Sequence, residues 1–375
     1  MKLLFFVNVD WFFISHRLPI AIEAIKRGYE VHVVATLTGR KEILEDSGLI
    51  VHSIKMSRGS NGIISSLMTI INVYKILVKI KPDIVHLVTI KPVLLGGIAA
   101  RFANVKNIVA SISGMGYVYI NEGILNILNR FFTSFLYKYA LGHNSIKVIF
   151  QNKSDLKLVS DISKIPPDNN ILIKGSGVDL DLFKFSPLPQ GKPIVILASR
   201  MLVDKGVIEF VEAARILKLK NIEARFVLVG RPDKENNASL HKEDLEAWQE
   251  EGVIEYWGHK KEMEKVLSKS SIVVLPSYRE GMPKVLLEAS AVGRPIITTD
   301  VPGCRDAIIP DVTGVLVPVK NVIKLSEVIK SLLDNRRLRE EMGFSGRKLA
   351  EESYDVNSVV EKHMEIYINL INKAK

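Results

Sequence analysis

Two carboxylates eight positions apart, Glu280 and Glu288, flank a Gly-Met-Pro turn in the stretch REGMPKVLLEA, residues 279–289. The apolar residues after the turn, Val285, Leu286, Leu287 and Ala289, read as the packed face of a helix. Glu288 would then lie beside apolar surface, where a carboxylate is costly unless partnered. The turn itself suits an anion. The first N–H groups of a helix, here from about Met282 and Lys284 onward, have no partner within it. With the helix dipole they form a phosphate site. Gly281 lets a ligand approach the backbone closely, and Pro283 suits a first helical position. Glu280 at the lip can accept hydrogen bonds from hydroxyl groups. A ribose diol suits Glu288, because a carboxylate accepts two hydroxyl protons at once.

The elements that must position these residues follow an alternation of short apolar runs and amphipathic segments, which means βαβ units and parallel sheets. Strand-like runs occupy residues 2–7, 29–35, 50–54, 83–88, 107–112 and 146–151, with helical candidates at 17–27, 62–80, 91–103 and 123–141. KFSPLPQGKP, residues 184–193, breaks both periodicities and reads as a linker. A second strand series follows at 193–199, 224–230, 253–258, 271–277, 294–299 and 314–319. The expected organisation is a Rossmann-like domain over 1–183, the linker, a second such domain over 194–354, and a terminal helix over 355–375. Val356, Val360, Met364, Tyr367 and Ile371 give that helix one apolar face, expected to pack back on the first domain.

Composition narrows the class. The 375 residues are 47% apolar and 25% charged, which is globular. A single cysteine, Cys304, excludes an internal disulfide framework and fits a reducing compartment; a small buried residue in a turn is its first reading. MKLLFFVNVDWFF is interrupted by Asp10 and reads as a buried first strand rather than an export signal. The uncharged stretch 107–121 is too short and too rich in Gly and Ser to span a bilayer, so the expectation is a protein that is soluble or lies on a membrane surface. Net charge is +10, and residues 1–188 hold 22 Lys and Arg against 13 Asp and Glu, whereas the remainder holds 29 against 28. Such a bias points to an anionic partner for the first half. Nucleic acid is disfavoured, because no basic stripe with interleaved aromatics is present.

EGMPKVLLE, within LPSYREGMPKVLLEASAVGRPIITTDVPGCRDAI, resembles the signature of the family 4 retaining glycosyltransferases of GT-B fold. ASRMLVDKGV (198–207), FVLVG (226–230) and GSGVDLDLF (175–183) extend the resemblance, which covers essentially the whole chain and is strongest in its second half. It implies two Rossmann-like doubly wound domains facing across a cleft, with the C-terminal helix crossing back to the first. It also implies that Arg200 and Lys205 bind the diphosphate of a nucleotide sugar, neutralising leaving-group charge as the sugar–phosphate bond breaks. No metal or other cofactor is then expected. Glu280 would contact the donor sugar and Glu288 the ribose, Gly281 and Met282 would offer backbone N–H groups, and Pro283, Lys284 and Val285 would belong to the same donor-binding stretch. Asp179-Leu180-Asp181 spells D-x-D, but it falls in the segment leading to the linker, so a metal role is disfavoured.

The first half should hold the acceptor. His16 and Arg17 are expected where a cleft-facing loop meets a helix, and His86 at the carboxyl end of its strand. Ser113, Gly114 and Gly116 form a glycine loop after the fifth strand, where many family members carry a histidine. A similar replacement is common in members acting on lipid-linked oligosaccharides. Segments 123–141 and 62–80 are either core helices or interfacial ones. The resulting expectation is a metal-independent transferase moving an N-acetylhexosamine or hexose from a UDP-sugar to a polyprenyl-diphosphate-linked glycan, at the inner face of the cytoplasmic membrane. A transferase with a soluble acceptor, sucrose-synthase-like, and a non-catalytic nucleotide-sugar-binding protein are the alternatives.

Overall fold

A computed structural model describes residues 1–56, 62–114, 134–143, 145–233 and 235–373. The chain divides into two units, one comprising Met1–Ser176 with Val356–Lys375 and the other Gly177–Asp355. Gly116 and most of segment 123–141 lie outside the described residues.

In the first unit, seven parallel strands are ordered β3-β2-β1-β4-β5-β6-β7. They are β1 (Lys2–Val9), β2 (Glu30–Thr36), β3 (Ile50–Ser53), β4 (Ile84–Val88), β5 (Asn107–Ile112), β6 (Ile146–Phe150) and β7 (Asn170–Leu172). Such strands are buried on both faces and so read as continuous apolar runs; β4 and β5 are buried at every position. Helices α1 (Asp10–His16), α2 (Leu18–Lys26), α3 (Lys41–Asp46), α4 (Ile63–Ile80), α5 (Gly97–Phe102), α6 (residues 134–141) and α7 (Lys153–Ser163) connect them. The segment 17–27 thus holds only the second of two helices: α1 starts at Asp10, directly after β1.

The second unit has six parallel strands in the order β10-β9-β8-β11-β12-β13. These are β8 (Ile194–Ala198), β9 (Arg225–Val229), β10 (Glu255–Gly258), β11 (Ile272–Leu275), β12 (Ile296–Thr299) and β13 (Gly314–Val317). Its helices are α8 (Val207–Leu219), α9 (Lys242–Glu250), α10 (Met263–Ser268), α11 (Lys284–Ala291), α12 (Val322–Asp334) and α13 (Arg336–Ser353). The final helix, α14 (Val356–Lys373), belongs to the first unit, where Val359, Val360, Met364, Ile366, Tyr367 and Leu370 join the core under β1 and α2.

Segment 184–193 is not a free linker, and the expected boundary at 183 lies too late. The chain passes into the second unit after Ser176, and the proline-rich stretch is tied down there. Arg294, fully buried, donates to the Ser186 carbonyl at 2.7 Å, to Ser186 Oγ at 2.6 Å and to the Pro187 carbonyl at 3.3 Å. The prolines had signalled only that the segment is neither helix nor strand. What holds it is a guanidinium more than a hundred residues away.

Candidate active site

Strand order reverses between β8 and β11, which pair directly. Ligands of open α/β sheets bind at such switch points, beyond the carboxyl ends of the strands. Both stretches that the resemblance assigns to a donor emerge there: Ser199–Gly206 follows β8, and Pro276–Pro283 follows β11.

The two loops are locked to each other. Lys205 Nζ forms an ion pair with Glu280 Oε1, both side chains about seven-eighths buried. Ser277 Oγ donates to the same carboxylate oxygen at 2.7 Å. The Tyr278 amide donates to the Asp204 carbonyl at 2.9 Å, and the Tyr278 hydroxyl to buried Glu209 at 2.6 Å. Two glycines make the approach possible. Gly206 has φ +72°, and a Cβ there would sit 2.2 Å from the Pro276 carbonyl oxygen; Gly303 has φ +80°, and its Cβ would sit 2.4 Å from the Glu280 carbonyl oxygen. Neither position accepts a side chain without moving backbone.

Arg200 Nη1 is paired with Asp233 Oδ2 at 2.8 Å while the side chain stays 42% exposed. It is thus anchored yet accessible. Burial raises the Asp204 carboxyl above its ordinary range, against the pull of neighbouring Lys205.

Helix α11 starts at Lys284 with no side-chain cap on its first turn, and Pro283 is the capping residue rather than the first helical one. Gly281, Met282 and Pro283 are buried and Lys284 and Val285 half-buried. Glu288 lies one turn in, only 8% exposed, with Lys284 Nζ 3.6 Å away. Burial pushes its carboxyl up to about 6, with Lys284 pulling the other way. A buried carboxyl with a raised pKa is a candidate for contact with a polar ligand.

The acceptor-side candidates fare differently. His86 is not at a strand end. It sits in the middle of β4, fully buried, with Nδ1 2.6 Å from the Tyr367 hydroxyl and Nε2 2.6 Å from Ser111 Oγ. Arg17, between α1 and α2, is 2% exposed beside Tyr367 and His363, and donates to the His16 carbonyl at 2.9 Å. Burial lowers its pKa to about 10. Both are therefore inside the unit, built around α14, and not on a ligand-facing loop. The sequence positions suggested otherwise because α1 begins immediately after β1 and carries Arg17 away from the strand end. His16 stacks on Phe12 at 4.1 Å between ring centres. Ser113 and Gly114 do follow β5, and Gly114 has φ +107°.

Cys304 is fully buried, and burial, then the Glu280 charge, pushes its thiol up to about 12, so it is a neutral packing residue. Asp179 of the D-x-D sequence accepts the Asp181 and Leu182 amides at 3.0 Å each, which makes it a turn cap. Among the described residues no three His, Cys, Asp or Glu side chains gather as metal ligands. Sequence reasoning missed Ser277, Asp233 and Gly303, which fix the functional side chains. Asp233 carried a signal, since it follows β9 at the same edge of the sheet; the other two depend on register.

Comparison with known proteins fits this architecture. Residues 179–349 match the family described as glycosyl transferases group 1, and residues 2–152 match glycosyl transferase 4-like proteins. The chain is 32% identical, over 96% of both chains, to the N,N'-diacetylbacillosaminyl-diphospho-undecaprenol alpha-1,3-N-acetylgalactosaminyltransferase of Campylobacter jejuni. It is 23% identical, over 82% of its length and 81% of the other, to the UDP-Gal:alpha-D-GlcNAc-diphosphoundecaprenol alpha-1,3-galactosyltransferase of Escherichia coli. Among solved structures it is similar to the sucrose-phosphate synthase of Thermosynechococcus elongatus, with TM-score 0.78 and 17% identity over the whole of both chains. Two Rossmann-like units of this kind define the GT-B class of glycosyltransferase. Within that class, the chain belongs to the group 1, family 4 glycosyltransferases and is an enzyme of glycosyl transfer.

Proposed function

We propose that the protein moves an N-acetylhexosamine or hexose from a UDP-sugar to a polyprenyl-diphosphate-linked saccharide in surface polysaccharide assembly, with retention at the anomeric carbon and without a metal ion. The observation that carries the donor side is the Lys205–Glu280 pair, which joins the two loops at the switch point of the second unit. The acceptor class rests on the relatives from Campylobacter jejuni and Escherichia coli, both named for diphospho-undecaprenol acceptors.

In this reading the sugar C1–oxygen bond breaks and its electron pair leaves with the diphosphate. The acceptor oxygen bonds to C1, and its proton ends on the released nucleotide or in solvent. Arg200 and Lys205 stabilise the departing charge, aided by the first turn of α11 and the Gly281–Val285 backbone. Fixed cations make a divalent ion unnecessary. Glu280, held by Lys205 and Ser277, orients sugar hydroxyls, and Glu288 takes the ribose diol. Purified protein given UDP-N-acetylgalactosamine or UDP-galactose with either relative's acceptor should release UDP and extend the lipid in the presence of EDTA. Loss of activity on chelation, or an inverted product anomer by NMR, contradicts the mechanism.

A membrane surface is the proposed place of work, and α4 is the element that would meet it. It is long and apolar enough to cross a bilayer by length and composition, in the segment expected to be either a core helix or an interfacial one. It nevertheless packs Val73, Leu77 and Ile80 into the core of the first unit. The opposite face leaves Ile63 and Ile64 more than 70% exposed, with Leu67, Met68 and Ile71 beside them. Asp83 is the one acidic residue between Ser47 and Asn121, a span with eight Lys and Arg. An apolar stripe in a basic surround suits an anionic bilayer. Leu67→Asp with Ile64→Asp should lower binding to vesicles containing phosphatidylglycerol at least tenfold in a flotation assay, leaving UDP affinity unchanged. Equal flotation of variant and wild type contradicts it.

A further inference from the structure

The first unit has its own switch point, between β1 and β4, and three consecutive strand ends meet there. Val7 pairs with Val88, and Val88 with Ser111. One residue beyond these pairs stand Asn8 and Thr89, and Ser113 follows two beyond Ser111. Each carries a side-chain oxygen that is screened from solvent and has no hydrogen-bond partner among the described residues: Asn8 Oδ1, Thr89 Oγ1 and Ser113 Oγ. The three residues themselves are only half-buried. An unmade hydrogen bond at a screened polar atom is destabilising, so three at adjacent strand ends are not a neutral feature of packing.

Thr89 adds a second, independent observation. Its φ is +75°, and it is the one β-branched residue among the described non-glycine residues with positive φ. That conformation is strained for threonine. Its amide is fixed to the Ser111 carbonyl at 3.0 Å, which holds the strain in place. The chain then runs into a π-helical stretch, Pro92–Gly96, a form concentrated at functional sites. Glycine would satisfy this backbone at no cost. Threonine supplies the same backbone with a hydroxyl.

We infer that Asn8, Thr89 and Ser113 are a hydroxyl-recognition group that binds the terminal sugar of the saccharide acceptor and so helps set which acceptor is used. The assignment rests on the acceptor reading above. Two hydroxyls and a carboxamide offer donors and acceptors without charge, which matches sugar hydroxyls rather than a phosphate. In this assignment the oxygens that lack a partner among the described residues make their bonds to the hydroxyls of the sugar. His86 lies inside β4, two residues before its end at Val88.

The test uses the full chain with N-acetylglucosaminyl-diphospho-undecaprenol and N,N'-diacetylbacillosaminyl-diphospho-undecaprenol as acceptors. Thr89→Val and Asn8→Ala should each raise the acceptor KM about tenfold, while the donor KM and acceptor-independent UDP release stay within twofold. Thr89→Gly should show the same acceptor defect with an unchanged or higher Tm, which separates recognition from folding. An unchanged acceptor KM in Thr89→Val and Thr89→Gly, or a parallel rise in the donor KM, overturns the assignment alone. A wild-type protein that uses neither lipid overturns the acceptor reading and this assignment with it.

Discussion

Replacing Lys205 by alanine should lower kcat for glycosyl transfer by about 10³-fold, the scale seen when a preorganised charge facing a developing anion is removed. The ammonium is fixed by Glu280 before any donor arrives, so no reorganisation is needed as the diphosphate separates. The same substitution leaves the Glu280 carboxylate, 14% exposed, with only Ser277 as a hydrogen-bond donor among the bonds described above. A modest loss of stability is therefore expected as well. Pairing Lys205→Ala with Glu280→Gln removes that buried charge and should restore Tm without restoring turnover. If kcat in Lys205→Ala stays within tenfold of wild type while UDP still binds, Lys205 is not what stabilises the leaving group. Arg200→Ala should give a smaller loss, since Arg200 is tethered to Asp233 at the solvent edge.

Glu288→Gln should move stability and ligand affinity in opposite directions. The folded carboxyl titrates near 6 against an ordinary value of 4.5, so between those values the folded chain holds a proton that the unfolded chain has released. Stability is thus lost as pH rises from about 4.5 to 6, and at pH 7 the cost of burying the charge is about 2 kcal/mol at most. Glutamine removes it, so the variant should melt at a higher temperature at pH 7 and lose the drop between pH 4.5 and 6. The proposed ribose contact pays for that cost. A hydroxyl bound to a carboxylate contributes about 1.5–3 kcal/mol, and glutamine keeps one acceptor oxygen, so loss of one charged bond should lower UDP affinity in Glu288→Gln about 10- to 100-fold by calorimetry. Wild-type affinity should also weaken below pH 6. A variant that binds UDP as tightly as wild type removes Glu288 from the ribose.

Much of this was legible in the residues because parallel strands advertise themselves. Runs such as DIVHLV and PIVILAS lie within a residue or two of β4 and β8, since burial on both faces makes such strands nearly continuous apolar runs. The turn and uncapped helix after Glu280 were legible for a related reason: glycine and proline mark the turn, and the apolar run that follows marks the packed helix. Arg200 and Lys205 are distant from that stretch in the chain, and the family resemblance, not spacing, pointed to them. The acceptor side was read less well. His86 sits on an ordinary strand, and nothing in DIVHLV tells that Tyr367, 281 residues later, takes its ring nitrogen. Arg17 was misplaced by a helix, α1, whose seven residues include Asp10 and too few periods to announce themselves. Asn8 and Thr89 gave no signal at all, because an unpaired oxygen and a positive φ exist only once the chain is folded.

The return of α14 to the first unit has a consequence for the order in which the molecule is made. During synthesis residues 1–176 leave the ribosome well before Tyr367 and Met364 exist, so the hydrophobic layer that those residues complete stays uncovered while the whole second unit is translated. Domains generally fold as they emerge, and exposed apolar layers are a hazard in that interval. Here the half begun first is finished only after the other. A nascent chain stalled at residue 355 should therefore bind a general chaperone, and a stop codon between positions 356 and 370 would damage the unit that holds residues 1–176.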